Sequence, residues 1–149
     1  NSYMKNGVSS TVKRVTMVSK AIESIPYFEL STIEVERTGN TYTNETLQQL
    51  RKANPNTQYY FIMGADSLFH IEKWKNPEKI FKLATLICAV RDDYDLSHIK
   101  AKGNELSKLG ANIIYLDIPK INISSTNIQQ KYSSYRFFNF FMNIFLFFL

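Results

Sequence analysis

Three short apolar runs, each bounded by residues that form turns, constrain the fold of this chain more than any other feature. They cover residues 58–63, 85–90 and 112–116, and Gly64 directly follows the first run. Runs of this length and composition are typical of strands buried in a parallel sheet. Because stretches with helical signals separate them, right-handed crossovers are expected, and we predict an α/β fold with a doubly wound parallel sheet.

Capping residues indicate helices before and between these runs. A first helix is predicted to begin at residues 10–11, where Ser and Thr can cap it, and to end at Pro26. Thr43 is a suitable cap for a second helix. A third is predicted to begin with Pro77, because proline is favoured at the first helical position, and a fourth covers residues 97–109.

Four further local signals are weaker. Residues 28–36 alternate between polar and apolar side chains, which predicts a half-buried strand. Gly103 lies inside the fourth helix, where glycine is unfavourable, whereas Gly110 can end that helix. Residues 123–126, Ile-Ser-Ser-Thr, are predicted to open a last short helix.

The charge balance favours an anionic partner. The chain has 18 Lys and Arg against 13 Asp and Glu, a net charge of +5. Its basic residues are scattered and form no stripe with interleaved aromatic residues, so no nucleic-acid partner is expected. A phosphorylated small molecule suits this charge. The single cysteine, Cys88, lies in an apolar run and is interpreted as a buried thiol in a reducing, cytoplasmic compartment.

The carboxyl-terminal segment differs in composition from the rest. Residues 137–149 contain no charged side chain and are mostly phenylalanine. A membrane-spanning helix needs about 20 apolar residues, so we interpret this segment as aberrant sequence. Packing into the core and anchoring to a membrane are the alternatives. We therefore predict one domain over residues 1–132, an aberrant tail over residues 133–149, and no membrane partner.

Three segments carry residue types suited to ligand chemistry. Asp66 follows a predicted strand and Gly64, where a carboxylate can accept hydrogen bonds from ribose hydroxyls, or it caps the next helix. Trp74, the single tryptophan, can stack on an aromatic ligand or pack at the rim of the core. Residues 123–126 offer backbone N–H groups and hydroxyls to an anion, or form an ordinary helix cap.

Several enzyme classes lack support in the sequence. His70 and His98 are far apart and have no companions at metal-ligand spacing, so no protein metal site is predicted. The pair Asp92-Asp93 is interpreted as a solvated turn. The sequence contains no nucleophile elbow and no glycine-rich phosphate loop of the Walker type, so covalent catalysis is not expected.

In their order and spacing, several segments resemble the bacterial nicotinate-mononucleotide adenylyltransferases over about residues 1–126. The matching segments are Arg14-Val-Thr-Met17, Glu34-Val-Glu-Arg37, Thr41-Tyr-Thr43, Thr46-Leu47, Phe61-Ile-Met-Gly-Ala-Asp66, Trp74 and Ile123-Ser-Ser-Thr126. The resemblance implies a Rossmann-like nucleotidyltransferase fold. It also implies adenylyl transfer from ATP to nicotinate mononucleotide, with Mg²⁺ and with release of pyrophosphate, in cytoplasmic NAD biosynthesis.

The resemblance assigns two groups of binding residues. On the ATP side it implies that Gly64 and Asp66 contact the adenosine ribose and that Arg91 lies near the adenine. It further implies that Ser125 and Thr126 meet the phosphates.

On the nicotinate side, the resemblance implies that Trp74 stacks on the nicotinate ring. Thr43 and the backbone at Asn44 and Lys75 would hold the carboxylate of that ring. These two ligands are the expected partners, and a homo-oligomer is left open, as is the choice between nicotinate and nicotinamide mononucleotide.

Departures from the family pattern shape a further expectation. The family begins with a strand, a Gly-Gly-Thr-Phe-Asp-Pro loop and His-x-Gly-His, and this sequence starts after them. We therefore expect a fragment without the first strand and the ATP loop. Gln129 stands where the family has an arginine, and Arg91-Asp92-Asp93 replaces Arg-Pro-Gly. Slow adenylyl transfer by this chain is expected, because those groups neutralise phosphate charge.

Three alternatives to an active adenylyltransferase are retained. The first is a non-catalytic nucleotide-binding remnant of the same fold, and the second is a membrane-associated protein that uses residues 137–149. The third is a related nucleotidyltransferase acting on pantetheine phosphate. Thr41-Tyr-Thr43 and Trp74 favour nicotinate over pantetheine phosphate.

Overall fold

The computed structural model describes residues 10–90 and 95–118, which belong to two compact units. The first unit is described over residues 10–41 and the second over residues 42–90 and 95–118. Their elements, in chain order, are α1 (Thr11–Ile22), α2 (Thr43–Ala53), β1 (Tyr59–Gly64), α3 (Ala65–His70), a 3₁₀ turn (Ile71–Lys73), α4 (Pro77–Leu83), β2 (Ala84–Val90), α5 (Leu96–Lys108) and β3 (Ile113–Asp117).

The three described strands form one parallel sheet in the order β1-β2-β3. Tyr59 pairs with Ala84 at the start of the first ladder, and Leu86 pairs with Ile113 in the second. Each strand lies within one residue of its predicted position. The predicted α/β fold with a parallel sheet is confirmed. Helices separate the three strands along the chain, and such crossover connections lead to parallel pairing, whereas antiparallel strands can be joined by a tight turn.

The first unit contains one predicted helix and one wrong prediction. Ser10 caps α1, as predicted, by accepting a hydrogen bond from the N–H of Lys13 at 3.4 Å. The strand predicted over residues 28–36 is absent. In its place the Thr32 carbonyl accepts N–H groups from Val35 and Glu36, at 2.8 and 3.0 Å, in a local turn. Alternating polarity was a poor guide here, since no described strand pairs with this segment.

In the second unit, two contacts fix the direction of α2 relative to the sheet. The hydroxyl of Tyr59, at the start of β1, donates to the Leu50 carbonyl at 2.8 Å. Arg51 donates to the carbonyl of Leu83, just before β2, at 3.3 Å. Both contacts involve the carboxyl-terminal half of α2, so the helix runs antiparallel to the strands. Its amino end therefore points toward the carboxyl ends of the strands.

Helix α5 packs so closely on β3 that its interior glycine has a structural reason. A Cβ atom placed on Gly103 would lie 1.8 Å from the hydroxyl oxygen of Tyr115. The low helix propensity of this glycine is thus offset by a close approach that an added Cβ would disturb. Gly110, with φ of 94°, ends the helix as predicted, and the Ala111 N–H bonds the Leu106 carbonyl at 3.1 Å.

Candidate active site

The carboxyl end of β1 presents exposed backbone and a carboxylate. Gly64 ends the strand and occupies the cap position of α3, where a Cβ would meet no atom within 4 Å. Asp66 lies in the first turn of α3 and is exposed. The alternative that Asp66 caps this helix is wrong, since the cap residue is Gly64. Ligands of open parallel sheets bind at this end of the strands.

The amino end of α2 lacks a side-chain cap. Tyr42 occupies the cap position and Thr43 is the first helical residue, so the prediction of Thr43 as the cap is off by one residue. The Tyr42 carbonyl accepts the N–H groups of Glu45 and Thr46 at 3.0 and 3.1 Å. The N–H groups of Thr43 and Asn44 therefore have no acceptor within the helix, which makes this end suited to an anion.

Asn44 adds a buried polar group to this helix start. Its side chain is 2% exposed, and its Oδ1 atom has no hydrogen-bond partner among the described residues. Buried oxygen acceptors are nearly always paired in folded proteins, since an unmet acceptor loses its hydration without compensation. This oxygen is thus an energetically costly feature at the amino end of α2.

Trp74 packs at the rim of the core and also keeps part of its ring accessible, so both alternatives left open by the sequence remain possible for different parts of the side chain. Its ring meets the ring of Phe61 edge to face, with centroids 6.0 Å apart and planes at 77°. Phe61 is in the buried core, whereas Trp74 is only half-buried. One part of the indole is therefore held by the core, and another part remains accessible to a flat ligand.

Lys75 connects the segment that contains Trp74 to the start of α2. Its Nζ atom lies 2.7 Å from Oε1 of Glu45 and 4.1 Å from the ring centroid of Tyr42. The hydrogen bond that Lys75 donates to Glu45 is the main cause that raises the pKa of Lys75 above its ordinary value. The ammonium group is consequently charged at neutral pH and lies close to the uncapped helix end.

The structure brings the predicted nicotinate-side residues together. Thr43 and Asn44 begin α2, Trp74 and Lys75 are consecutive, and the Glu45–Lys75 ion pair joins the two segments. Sequence reasoning missed the roles of Tyr42 and Glu45. No local pattern in the sequence relates Glu45 to a lysine thirty residues later.

The predicted ATP-side residues are described only in part. Gly64 and Asp66 lie at the carboxyl end of β1, the strand that contributes Phe61 beneath Trp74. Arg91, Ser125 and Thr126 lie outside the described residues. The half of the predicted site that is described is thus the mononucleotide side together with one strand end.

One further titratable group, Cys88, lies in the buried core. Cys88 is fully buried in β2, and burial raises the pKa of its thiol to about 11, so the prediction of a buried thiol is confirmed. Within residues 10–90 and 95–118, no group of three or more His, Cys, Asp and Glu is placed to hold a metal ion. Among the same residues, no helix is long and apolar enough to cross a membrane.

The sequence relatives of this chain are named as members of the family that its motifs resemble. A probable nicotinate-nucleotide adenylyltransferase of Lachnoclostridium phytofermentans is 41% identical over 119 residues, which make up 79% of this chain and 60% of that protein. The probable nicotinate-nucleotide adenylyltransferase of Clostridium tetani is 40% identical over a segment of the same length. The chain thus spans about three fifths of the length of these curated relatives. The predicted resemblance is confirmed.

A solved structure and a family model agree with this result. The Plasmodium falciparum nicotinic acid mononucleotide adenylyltransferase complexed with NaAD has a TM-score of 0.60 and 20% sequence identity, over 84% of this chain and 62% of that chain. At this identity the likeness concerns the fold. The family model described as cytidylyltransferase-like matches residues 1–131, most of the sequence. The chain belongs to the cytidylyltransferase-like family.

Proposed function

We propose that this chain carries the nicotinate-binding part of an enzyme that transfers the adenylyl group of ATP to nicotinate mononucleotide. The products are nicotinate adenine dinucleotide and pyrophosphate, in NAD biosynthesis. One observation supports this most directly: a half-buried tryptophan stands next to a cationic lysine that is bound to the uncapped start of α2. An aromatic ring and an anion-binding helix end match the two halves of nicotinate.

On the nicotinate side, each group has a stated role. Trp74 stacks on the pyridine ring through the part of the indole that Phe61 leaves open. The helix N–H groups at Thr43 and Asn44, with the backbone at Lys75, hold the ring carboxylate. A carboxylate at this position also gains from the helix dipole. Nicotinamide mononucleotide lacks that charge, so weaker binding of the amide is part of the proposal.

On the ATP side, Gly64 and Asp66 bind the adenosine ribose, Arg91 lies near the adenine, and Ser125 and Thr126 meet the phosphates. A phosphate oxygen of the mononucleotide attacks the α-phosphorus of ATP, and the bond to the β-phosphate oxygen breaks. Pyrophosphate takes the electron pair of that bond. Such transfers depend on positioning and on charge neutralisation rather than on a protein nucleophile. The buried thiol of Cys88 is consistent with this chemistry.

Mg²⁺ belongs to the proposal as the ion that accompanies the phosphates of ATP. The described residues contain no cluster of three potential metal ligands, so they do not fit a metal site formed by the protein alone. An ion held mainly by phosphate oxygens and water is the usual form of Mg²⁺ in nucleotide enzymes. The roles given above to the side chains do not depend on it.

The proposal includes the organisation and location of the chain. We place the nucleotidyltransferase domain at residues 1–132 and the aberrant tail at residues 133–149, which agrees with the family match over residues 1–131. A cytoplasmic location fits the buried, unpaired thiol of Cys88. The expected partners are the two small-molecule substrates.

A fluorescence titration tests the function, because Trp74 is the single tryptophan. Emission of this chain should change in a saturable way with nicotinate mononucleotide, less with the nicotinamide analogue, and not with pantetheine phosphate. Calorimetry on the same samples reports binding independently. Absence of heat with nicotinate mononucleotide would contradict the proposed function, whereas heat without an emission change would contradict only the stacking role of Trp74.

A second measurement separates an enzyme from a remnant that only binds. Pyrophosphate release from ATP and nicotinate mononucleotide is compared between this chain and its Gln129→Arg variant, which restores a phosphate-neutralising cation. Release that depends on both substrates supports the transferase. Binding without release in either chain supports the non-catalytic remnant of the same fold.

A further inference from the structure

We infer that Glu45 and Tyr42 are positioning residues, which act through Lys75 to hold the loop that contains Trp74 against the start of α2. The loop, residues 71–76, is called the tryptophan loop below. The inference rests on the proposed function only for the identity of the ligand, since the contacts themselves are independent of it. Neither Glu45 nor Tyr42 belongs to the groups proposed to touch the mononucleotide.

The contacts of Lys75 come from α2 and from its cap residue. Glu45 lies in the first turn of α2, and its carboxylate binds the Lys75 ammonium at 2.7 Å. Tyr42 presents the face of its ring to the same ammonium at 4.1 Å from the centroid. A cation over an aromatic face gains electrostatic attraction in addition to the ion pair. Two separate groups at one helix end therefore hold one side chain of the tryptophan loop.

A second ion pair holds the other end of the loop. Lys102 of α5 binds the carboxylate of Glu72, and its side chain is 15% exposed. Lys102 also binds Glu105 at 3.2 Å within its own helix. The tryptophan loop is thus attached to α5 at residue 72 and to α2 at residue 75. Trp74 lies between these two attachments.

The backbone of the loop gives a reason for these attachments. Trp74 is extended, and its N–H bonds the Ile71 carbonyl at 3.0 Å. Asn76 has φ of 50°, the left-handed region, and is the one non-glycine residue with positive φ among those described. Asparagine tolerates this region better than most residues, but the surroundings must still hold it there. Contacts of Lys75, the preceding residue, supply that restraint on the side of α2.

The inference predicts a local effect rather than a global one. The Lys75 and Glu45 side chains are 46% and 36% exposed, and ion pairs of such exposure contribute little to the free energy of unfolding. Trp74 is half-buried and packs against Phe61, so a change in loop position alters its access to a small quencher. The loop can therefore loosen while the fold remains intact.

Positioning and simple electrostatics predict opposite results for Glu45→Gln. This substitution removes a negative charge near the proposed carboxylate site, so electrostatics alone would tighten binding of nicotinate mononucleotide. Loss of positioning would instead weaken binding, by roughly 2- to 5-fold, the range that corresponds to an exposed ion pair. The sign of the change in Kd distinguishes the two.

The test measures acrylamide quenching of Trp74 in the ligand-free chain, with the melting temperature recorded in parallel. Glu45→Gln and Tyr42→Leu should increase quenching and leave the melting temperature nearly unchanged. Tyr42→Phe keeps the aromatic face and should behave as the parent chain, and exchange of the two charges in Glu45→Lys/Lys75→Glu should restore part of the protection. Glu23→Gln, at an exposed position at the end of α1, changes the net charge by the same amount and is the matched control.

Two outcomes would overturn the inference. One is unchanged quenching in both Glu45→Gln and Tyr42→Leu. The other is tighter binding of nicotinate mononucleotide by Glu45→Gln, which would mean that Glu45 acts only by repelling the negatively charged ligand. Failure of the parent chain to bind nicotinate mononucleotide contradicts the proposed function instead, because quenching of the ligand-free chain does not depend on any ligand.

Discussion

The two ends of the parallel sheet are held by different kinds of contact. At the amino ends of the strands, the buried Tyr59 donates its hydroxyl to the Leu50 backbone carbonyl. At the other end, the start of α2 is joined to the tryptophan loop by the exposed Glu45–Lys75 ion pair. The first contact is partly buried and has a backbone partner that no substitution removes. The second involves two exposed side chains.

This difference separates stability from ligand binding within one sheet. The buried ring of Tyr59 contributes strongly to the free energy of unfolding and its hydroxyl adds about 1 kcal/mol, whereas exposed ion pairs contribute little. Contacts at the carboxyl ends can therefore change without loss of the fold. That end also retains a helix without a side-chain cap and the Asn44 oxygen, which has no partner within the described part of the chain; a structure optimised for stability would lack both.

The largest expected effect comes from replacing Tyr59, whose contact holds α2 at the amino ends of the strands. Tyr59→Ala removes a side chain that is 1% exposed and packs in the core. We expect a loss of about 3–5 kcal/mol in the free energy of unfolding, the range for aromatic residues replaced in cores. Tyr59→Phe removes only the hydroxyl and should cost about 1 kcal/mol. Urea denaturation measures both, and equal losses in the two variants would show that the hydroxyl, not the ring, is decisive.

The free energy of unfolding at high pH tests the buried middle of the sheet, where Cys88 lies in β2. Burial raises the pKa of Cys88 from 9.0 to about 11. As the pH rises through 9, the thiol ionises in the unfolded chain but stays protonated in the folded one, so stability falls until about pH 11. The expected loss is of the order of 2–3 kcal/mol. Urea denaturation at pH 7 and at pH 10.5 should show a smaller decline for Cys88→Ala, and a parallel decline would contradict this role.

The contact between α5 and β3 gives the next effect. Gly103→Ala places a methyl group against the Tyr115 hydroxyl, which lies within 1.8 Å of the new Cβ. We expect a cost of about 1–3 kcal/mol from overpacking, reduced by the better helix propensity of alanine. Tyr115→Phe removes the clashing oxygen. Thermal unfolding of the two single variants and the double variant should show that Gly103→Ala is tolerated better with phenylalanine at position 115, and additive losses would refute the steric explanation.

The smallest effect is expected at the carboxyl ends of the strands, and it is a gain in the free energy of unfolding rather than a loss. Asn44→Leu removes a buried oxygen acceptor that has no partner among the described residues. We expect a gain of about 1 kcal/mol, because an unmet buried acceptor costs about that much or more. Asn104→Leu, at an exposed position of α5, measures the gain from helix propensity alone. A lower melting temperature for Asn44→Leu than for the parent chain would mean that Asn44 has a stabilising partner.

Much of the fold was predictable, because its signals are local. The strands are short apolar runs, α4 begins with Pro77, and α5 stops just before Gly110. The strand predicted at residues 28–36 is absent, because an alternating pattern indicates which side chains share a face but does not provide a neighbouring strand to pair with. Thr43 was misplaced by one residue, since a cap is defined by backbone geometry that composition does not determine.

The site was predictable only as far as the family motifs extend. Trp74 and Asp66 came from ordered segments of sequence, and the structure adds how they are held. The Glu45–Lys75 pair and the approach of Gly103 to Tyr115 join residues distant in sequence. Such contacts depend on helix direction and crossing distance, which appear only after the sheet has formed. The residues at positions 91, 125 and 126 stay predictions.

The order of strands across the sheet, β1-β2-β3, has a consequence for how the second unit folds. Among the described strands, spatial order equals chain order and both pairs are parallel, so these strands can be added one after another at one edge as synthesis proceeds. Neither of these two pairings begins at a tight turn: Tyr59 meets Ala84 and Leu86 meets Ile113 only after an intervening helix has crossed over. Closure of such long loops precedes any gain from pairing, which slows folding relative to a helical bundle of equal size. We expect hydrogen exchange during refolding to protect β1 and β2 together, with β3 joining afterwards.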